Sequence, residues 1–411
     1  MPIEEKIEKI PLVLGVTGHR NLHPDEFALI RTRLKEVIGS LREAYPHTPL
    51  KLLSPLAEGA DRLVAQVALE LEEGVQLVAP LPFALEDYRH DFKTEDSLKE
   101  FDELLAQADV FSLPQLQTGS EVKKSPARFA QYTLVGAYVA RHCHVLLALW
   151  DGRKQPNPGS TYEVIQFRLT GTMKELPEAY KAPVNPLDFV DTGKVCHIKV
   201  SRDNDPQRFI DAGNIHILSP EPEQGTPSRD LRDLHSAAFR QTDEFNRDVE
   251  EYQAQHGEIH FDKGKMFKKA KFETGNLSKP FQKMARIYEL ASFLSVHNHR
   301  PTEQAMRWIF IIGGLMVLAI ELYAHPPWLH SGEYPNWLLG VYFVLFSFGY
   351  AVYRWASARQ IHDKYLQYRG FAGADVLAIG RFKRISGGFL SAQVPQRVGM
   401  DTQCGAGVEY A

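Results

Sequence analysis

Leu12-Val13-Leu14-Gly15-Val16-Thr17-Gly18-His19-Arg20 is an apolar run that breaks at two glycines and hands over to a helix beginning near Pro24. Residues 12 to 16 read as a short buried strand, and Gly18 lets the backbone turn where a side chain would obstruct a ligand. Strand, tight polar turn and helix form a layout suited to phosphate: turn N–H groups face the anion and the helix N-terminus adds its partial positive charge. Arg20 can present a fork to phosphate oxygens. The pattern G-x-x-G-H-R lacks the third glycine of a dinucleotide fingerprint and the Lys-Ser/Thr of a P-loop. By itself the stretch leaves phosphate binding and a purely structural turn both open.

Outward from this turn the same unit repeats. Apolar residues at Phe27, Ile30, Leu34, Val37, Ile38 and Leu41 have helical spacing, with Pro24 placed to start the helix. Residues 50–53 form a strand feeding Ser54-Pro55-Leu56-Ala57-Glu58-Gly59-Ala60-Asp61-Arg62, and a second helix follows over 63–71. Further apolar runs lie at 76–81, 109–113, 145–150, 195–200 and 215–218, with helical spacing at 98–106, 129–140 and 162–169. Strands alternating with helices predict an α/β, Rossmann-like, doubly wound and mostly parallel sheet. Ligands of such sheets bind beyond the carboxyl ends of the strands. Thr17 to Arg20, Glu58 to Arg62, Asp151-Gly152 and Gly159 to Thr161 should therefore share one rim.

Composition narrows the function classes. The chain has 411 residues, enough for two or three domains, and 44% hydrophobic content, which excludes a disordered protein. A net charge of −4 gives no global basic field, so a nucleic-acid duplex is not the expected partner. Cys143, Cys196 and Cys404 are odd in number and far apart, fitting neither a disulfide framework nor a zinc site. No metal and no cofactor are expected. The charged stretch Met1 to Lys9 lacks the apolar core of a signal peptide.

Beyond residue 218 the character changes. Residues 219–300 read as a helical connector with a basic stretch at Lys263 to Lys269. Trp308 to Ala324 and Trp337 to Tyr353 are each about 17 residues of nearly unbroken apolar sequence, near the lower limit for crossing a bilayer. Trp308, Tyr323, Trp328, Trp337, Tyr353 and Trp355 cluster at the ends, as interfacial aromatics do. We expect two spans, about 308–324 and 337–355. The loop from His325 to Asn336 has no Lys or Arg, whereas Arg300, Arg307, Arg354 and Arg359 lie outside the pair, so both termini should be cytoplasmic. Helical character continues to about 384, and 385–411 forms an irregular tail.

With these motifs placed, the first half resembles the SLOG superfamily, Rossmann-like sensors and enzymes related to the LOG nucleosidases and the DprA family. The matching residues are Gly15-Val16-Thr17-Gly18-His19-Arg20, Leu56 through Arg62, Trp150-Asp151-Gly152 and Gly159-Ser160-Thr161. The second half resembles a SLATT-type membrane module, with Lys364-Tyr365-Leu366-Gln367-Tyr368-Arg369 as the local match. The implied order is a SLOG-like domain over 1–218, the connector over 219–300, a SLATT-like hairpin with its following helix over 301–384, and the tail. The resemblance implies a nucleotide or nucleotide-derived ligand, a homo-oligomer in a bacterial inner membrane, and a role in bacterial conflict or antiphage defence.

Under this reading Gly15, Thr17, Gly18, His19, Arg20, Glu58, Gly59, Asp61, Arg62, Asp151, Gly152, Gly159, Ser160 and Thr161 form the nucleotide site. Thr17, Gly18, Gly59, Ser160 and Thr161 supply phosphate contacts, Arg20 is the charge partner, and Glu58, Asp61 and Asp151 accept from ribose hydroxyls. Two alternatives remain. A LOG-like hydrolase would cleave an N-glycosidic bond with Glu163 as its catalytic carboxylate, although Pro158-Gly159-Ser160-Thr161-Tyr162-Glu163 is shorter than the LOG pattern P-G-G-x-G-T-x-x-E. A membrane-anchored scaffold would bind no ligand.

Overall fold

In the computed structural model, the described residues are 9–71, 75–116, 125–155, 157–173, 176, 192–205, 209–220, 227–256, 279–325, 337–358, 364 and 366–370. The basic stretch at 263–269, most of the proline-rich connection at 173–192, and the tail at 385–411 lie outside them. Contacts divide the chain into two units, Lys9–Glu250 and the remainder.

The first unit is built on a seven-stranded sheet: β1 (Leu12–Gly18), β2 (Leu50–Leu53), β3 (Gln76–Leu81), β4 (Ala108–Ser112), β5 (Val145–Trp150), β6 (Lys194–Lys199) and β7 (Ile215–Leu218). The order is β4-β3-β2-β1-β5-β6-β7. All pairings are parallel except β6 with β7. The chain therefore winds outward from β1 to β4, returns to lay β5 on the other side of β1, and winds outward again. That reversal creates a switch point between the carboxyl ends of β1 and β5.

Helices α1 (Phe27–Ala44), α2 (Ala60–Leu69) and α4 (Glu95–Leu105) pack on one face, and α5 (Ser125–His142) and α6 (Thr161–Thr170) on the other. The short α3 (Leu85–Arg89) precedes α4. Strand β5 shows the two cores directly: Val145, Leu147 and Leu149 join the first, while Leu146, Ala148 and Trp150 join the second. A strand covered on both faces has no reason to alternate, which is why the run is apolar throughout. Pro24–Glu26 forms a 3-10 turn, and α1 proper starts at Phe27.

Helix α7 (Ala237–His256) falls in the stretch read as a connector, and its first part is anchored on the α/β unit. The buried Asn246 amide accepts from the Ile10 N–H at 3.0 Å and donates to the Ile10 carbonyl at 2.9 Å, pairing with the chain entering β1 as another strand would. Asp243 adds bonds from the His47 amide and the Thr48 hydroxyl.

The second unit contains α8 (Lys279–Ala324) and α9 (Trp337–Ala358). The sequence separates a connector ending at residue 300 from an apolar span at 308–324; the structure joins the end of the one to the other in a single 46-residue helix that runs through Pro301. The missing Pro N–H removes one bond from a ladder long enough to continue past it. Glu303–Ala324 and Trp337–Ser357 are long and apolar enough to cross a membrane, with mean hydropathy 1.9 and 1.3. The two pack along a seam that includes Ile312 and Gly349, while Phe310, Val317, Phe343 and Val344 point outward, 63 to 76% exposed.

Candidate functional site

At the switch point β1 delivers His19 and Arg20 to opposite sides of the rim. The His19 amide donates to the Leu149 carbonyl at 3.1 Å, and the His19 carbonyl accepts from the Ala60 amide at 3.1 Å. The β1 turn is thereby stitched to β5 and to the start of α2.

This stitching explains the glycines. A Cβ on Gly18 would stand 2.4 Å from the Ala60 Cβ and 2.8 Å from the Leu149 carbonyl oxygen. A Cβ on Gly59, at φ +80°, would stand 2.2 Å from the Arg20 carbonyl oxygen. Both glycines permit backbone to approach backbone, so the space expected at Gly18 is filled by protein. Gly15 is crowded instead by the side chains of Cys143 and Val139, each 2.9 Å from a Cβ placed there. Gly152 differs: its φ is +82° and nothing lies within 4 Å of a Cβ built there, so the open part of the rim is at the end of β5.

On the β5–β6 side, His19 and Asp151 are buried. His19 Nε2 accepts from the Asp151 amide at 3.1 Å and lies 3.1 Å from Asp151 Oδ1. Nε2 thus faces both a donor, the Asp151 amide, and an acceptor, Asp151 Oδ1. Burial lowers the His19 pKa; Asp151 pulls it up and Arg202 pushes it down. Arg202 Nε sits 3.1 Å from Asp151 Oδ2, and the Arg202 amide and Arg153 Nη1 both bond Asp205, at 2.9 and 2.6 Å. The result is a cross-linked set of two arginines and two carboxylates.

On the β2–β3 side, Arg20 is exposed and lies over the Tyr132 ring, 5.2 Å from its centroid. Asp91 accepts from Arg128 and from the Tyr132 hydroxyl. Asp61 is buried at the first turn of α2, and burial raises its carboxyl to about 7 against the opposing pull of Arg20, the Ala57 amide and Arg62. Tyr88, also buried beside Asp61, is raised by that burial.

The remaining expected site residues hold loops. Arg62 is 1% exposed, donates to the Leu56 and Ser97 carbonyls and to Glu100, and stacks 4.5 Å over the Phe92 ring. It thereby stabilises Leu56 at φ +59°, a conformation that costs a branched side chain on the order of 1 kcal/mol or more. Glu58 accepts from the Ser97 hydroxyl. Ser160 caps α6, its Oγ accepting from the Glu163 amide at 3.3 Å, while the Glu163 carboxylate accepts from the Gly159 amide at 2.8 Å. That reciprocal arrangement is close to a capping box. Thr161 opens α6 and Thr17 lies within β1; both are half-buried.

Arg202, Arg153, Asp205, Asp91, Arg128 and Tyr132 join the rim without a local sequence signal, because they come from segments far apart in the chain: Asp91 after α3, Arg128 and Tyr132 on α5, Arg153 after β5, and Arg202 and Asp205 after β6. No family model matches the chain, and no curated protein matches it.

Proposed function

We propose that this chain is a membrane-anchored sensor of a nucleotide or nucleotide-derived signal, of the SLOG–SLATT kind its motifs resemble. The observation that carries the reading is the switch point between β1 and β5, where the open, positive-φ Gly152 adjoins a rim furnished with Arg20, Asp61, His19 and Asp151. The exposed Arg20 guanidinium suits phosphate, whereas the Asp61 and Asp151 carboxylates are buried and would have to be uncovered to accept from ribose hydroxyls. A ligand that favours one of two packings of the apolar helices would shift their populations by its differential affinity.

In this reading α8 and α9 cross the inner membrane of a bacterium, with both termini in the cytoplasm and the Lys- and Arg-free loop outside. The protein acts as a homo-oligomer in conflict or antiphage defence. Glu163 spends its carboxylate on the Gly159 amide, which favours sensing over N-glycosidic hydrolysis.

The test is a thermal-shift screen of the full chain in lipid nanodiscs against nucleotides, cyclic dinucleotides and ADP-ribose derivatives, with product analysis of each hit. A ligand that raises the melting temperature and returns intact supports sensing. Release of free base supports the hydrolase, and no shift with any compound supports the scaffold.

A further inference from the structure

The β2–β3 side of the rim holds a feature that the glycine motifs do not announce. Arg20 lies over the Tyr132 ring and Arg128 over the Phe83 ring, 4.2 Å from its centroid. The two rings meet edge to face at 5.5 Å and 87°. Two guanidinium groups thus share one aromatic platform. Arg128 and Tyr132 are four residues apart on α5, which puts them on one face of the helix, and Asp91 fastens both from the segment after α3. Much of the rotamer freedom that long arginines usually lose on binding is already lost on folding, so less is lost when an anion arrives.

The charge count favours an anion. Arg20 and Arg128 bring two positive charges and Asp91 cancels one. Asp61, the other carboxyl acting on Arg20, is held at about 7 by burial and supplies only part of a negative charge at neutral pH. Arg62 is committed to Glu100. An excess of positive charge remains at the exposed Arg20.

We propose that Arg20 and Arg128 form a paired guanidinium clamp for a ligand with two adjacent phosphates, with the Tyr132–Asp91 pair fixing their spacing. This rests on the nucleotide reading and narrows it: the phosphates sit over the α5 aromatic platform, not in the filled turn at Gly18, and a diphosphate is preferred to a monophosphate.

Isothermal titration of the full chain in detergent micelles with inorganic pyrophosphate and with orthophosphate tests the clamp. Wild type should bind pyrophosphate at least tenfold more tightly than orthophosphate, and Arg20→Gln and Arg128→Lys should each lose about tenfold for pyrophosphate. Arg20 is exposed, so its variant should melt like wild type without ligand and remains informative if Arg128→Lys does not fold. Equal affinity for the two anions, or a wild-type pyrophosphate affinity in Arg20→Gln, overturns the clamp. A nucleotide that binds wild type and Arg20→Gln equally overturns the clamp and leaves the sensor reading standing. Pyrophosphate binding that Arg20→Gln abolishes, with no nucleotide binding to wild type, supports the clamp and removes the sensor reading.

Discussion

The α/β unit and the apolar helix pair dispose similar side chains in opposite ways. In the first, Leu14, Leu52, Leu147 and Ile198 are fully buried between sheet and helices. In the second, Phe310 is 76% and Val344 68% exposed, and only 17% and 6% of the two most apolar windows is buried. One unit supplies its own apolar solvent in the form of a core. The other presents a surface that water does not favour and hydrocarbon does. Several glycines follow the same contrast: Gly18 and Gly59 are hemmed in by Ala60, the Leu149 carbonyl and the Arg20 carbonyl, whereas Gly313, Gly314 and Gly340 have no neighbour within 4 Å of a Cβ placed there; exceptions include the open Gly152 in the first unit and Gly349, packed on Ile312, in the second.

The strongest way to sharpen that contrast is Gly59→Ala. A positive φ combined with a 2.2 Å clash against the Arg20 carbonyl should cost about 4 kcal/mol. Circular dichroism melting of the full chain should show the loss, and an unchanged melting temperature would mean the turns are not packed together. Gly59→Ala is consequently a probe of folding before it is a probe of binding.

Val317→Arg comes next. At the middle of a membrane span it should cost about 3 kcal/mol of insertion, read as a fall in carbonate-resistant protein in membranes. On a helix of a soluble domain the same substitution at a 68% exposed position would cost almost nothing, so full retention of membrane association would break the comparison.

His197 offers a pH test of the α/β unit. Its Nε2 faces the Trp150 carbonyl at 2.9 Å. Burial lowers its pKa to about 4, with smaller contributions from His216 and Lys199 in the same direction and from the carbonyl against it. The unfolded imidazole therefore takes up a proton first as pH falls below about 6.5. The stability this neutral histidine contributes is complete above that pH and is lost as pH falls toward 4. Between pH 7 and 5 its share is about 2 kcal/mol. His197→Gln should flatten urea-unfolding stability over that interval, and an unaltered pH profile would contradict the assignment. Asn246→Ala should have the smallest effect, about 1.5 kcal/mol from unpairing the Ile10 backbone, visible as lost hydrogen-exchange protection at the Ile10 amide.

Most of the fold was legible because the sheet is covered on both faces. Runs such as Val145 to Trp150 are apolar without alternation, and glycine turns follow the central strands. Helix α3 escaped because five residues carry no periodicity, and the antiparallel direction of β7 leaves no trace in a four-residue run. The long helix through Pro301 escaped because a proline's missing N–H takes only one bond from a 46-residue ladder. In the site, the positions of the glycine turns were legible, but what each glycine abuts was not. Arg202 reaches His19 across 183 residues of sequence, and Asp91 reaches Tyr132 across 41. Such pairings are fixed by the winding of the sheet and have no local spacing to read.

The most direct test of the proposed account is hydrogen–deuterium exchange on the full chain in nanodiscs, with and without the best-stabilising nucleotide. Protection should appear together at residues 17–20, 54–62 and 150–155 and in α5 around Arg128 and Tyr132, with altered exchange in α8. Protection confined to surfaces away from the carboxyl ends of β1, β2 and β5 would contradict it.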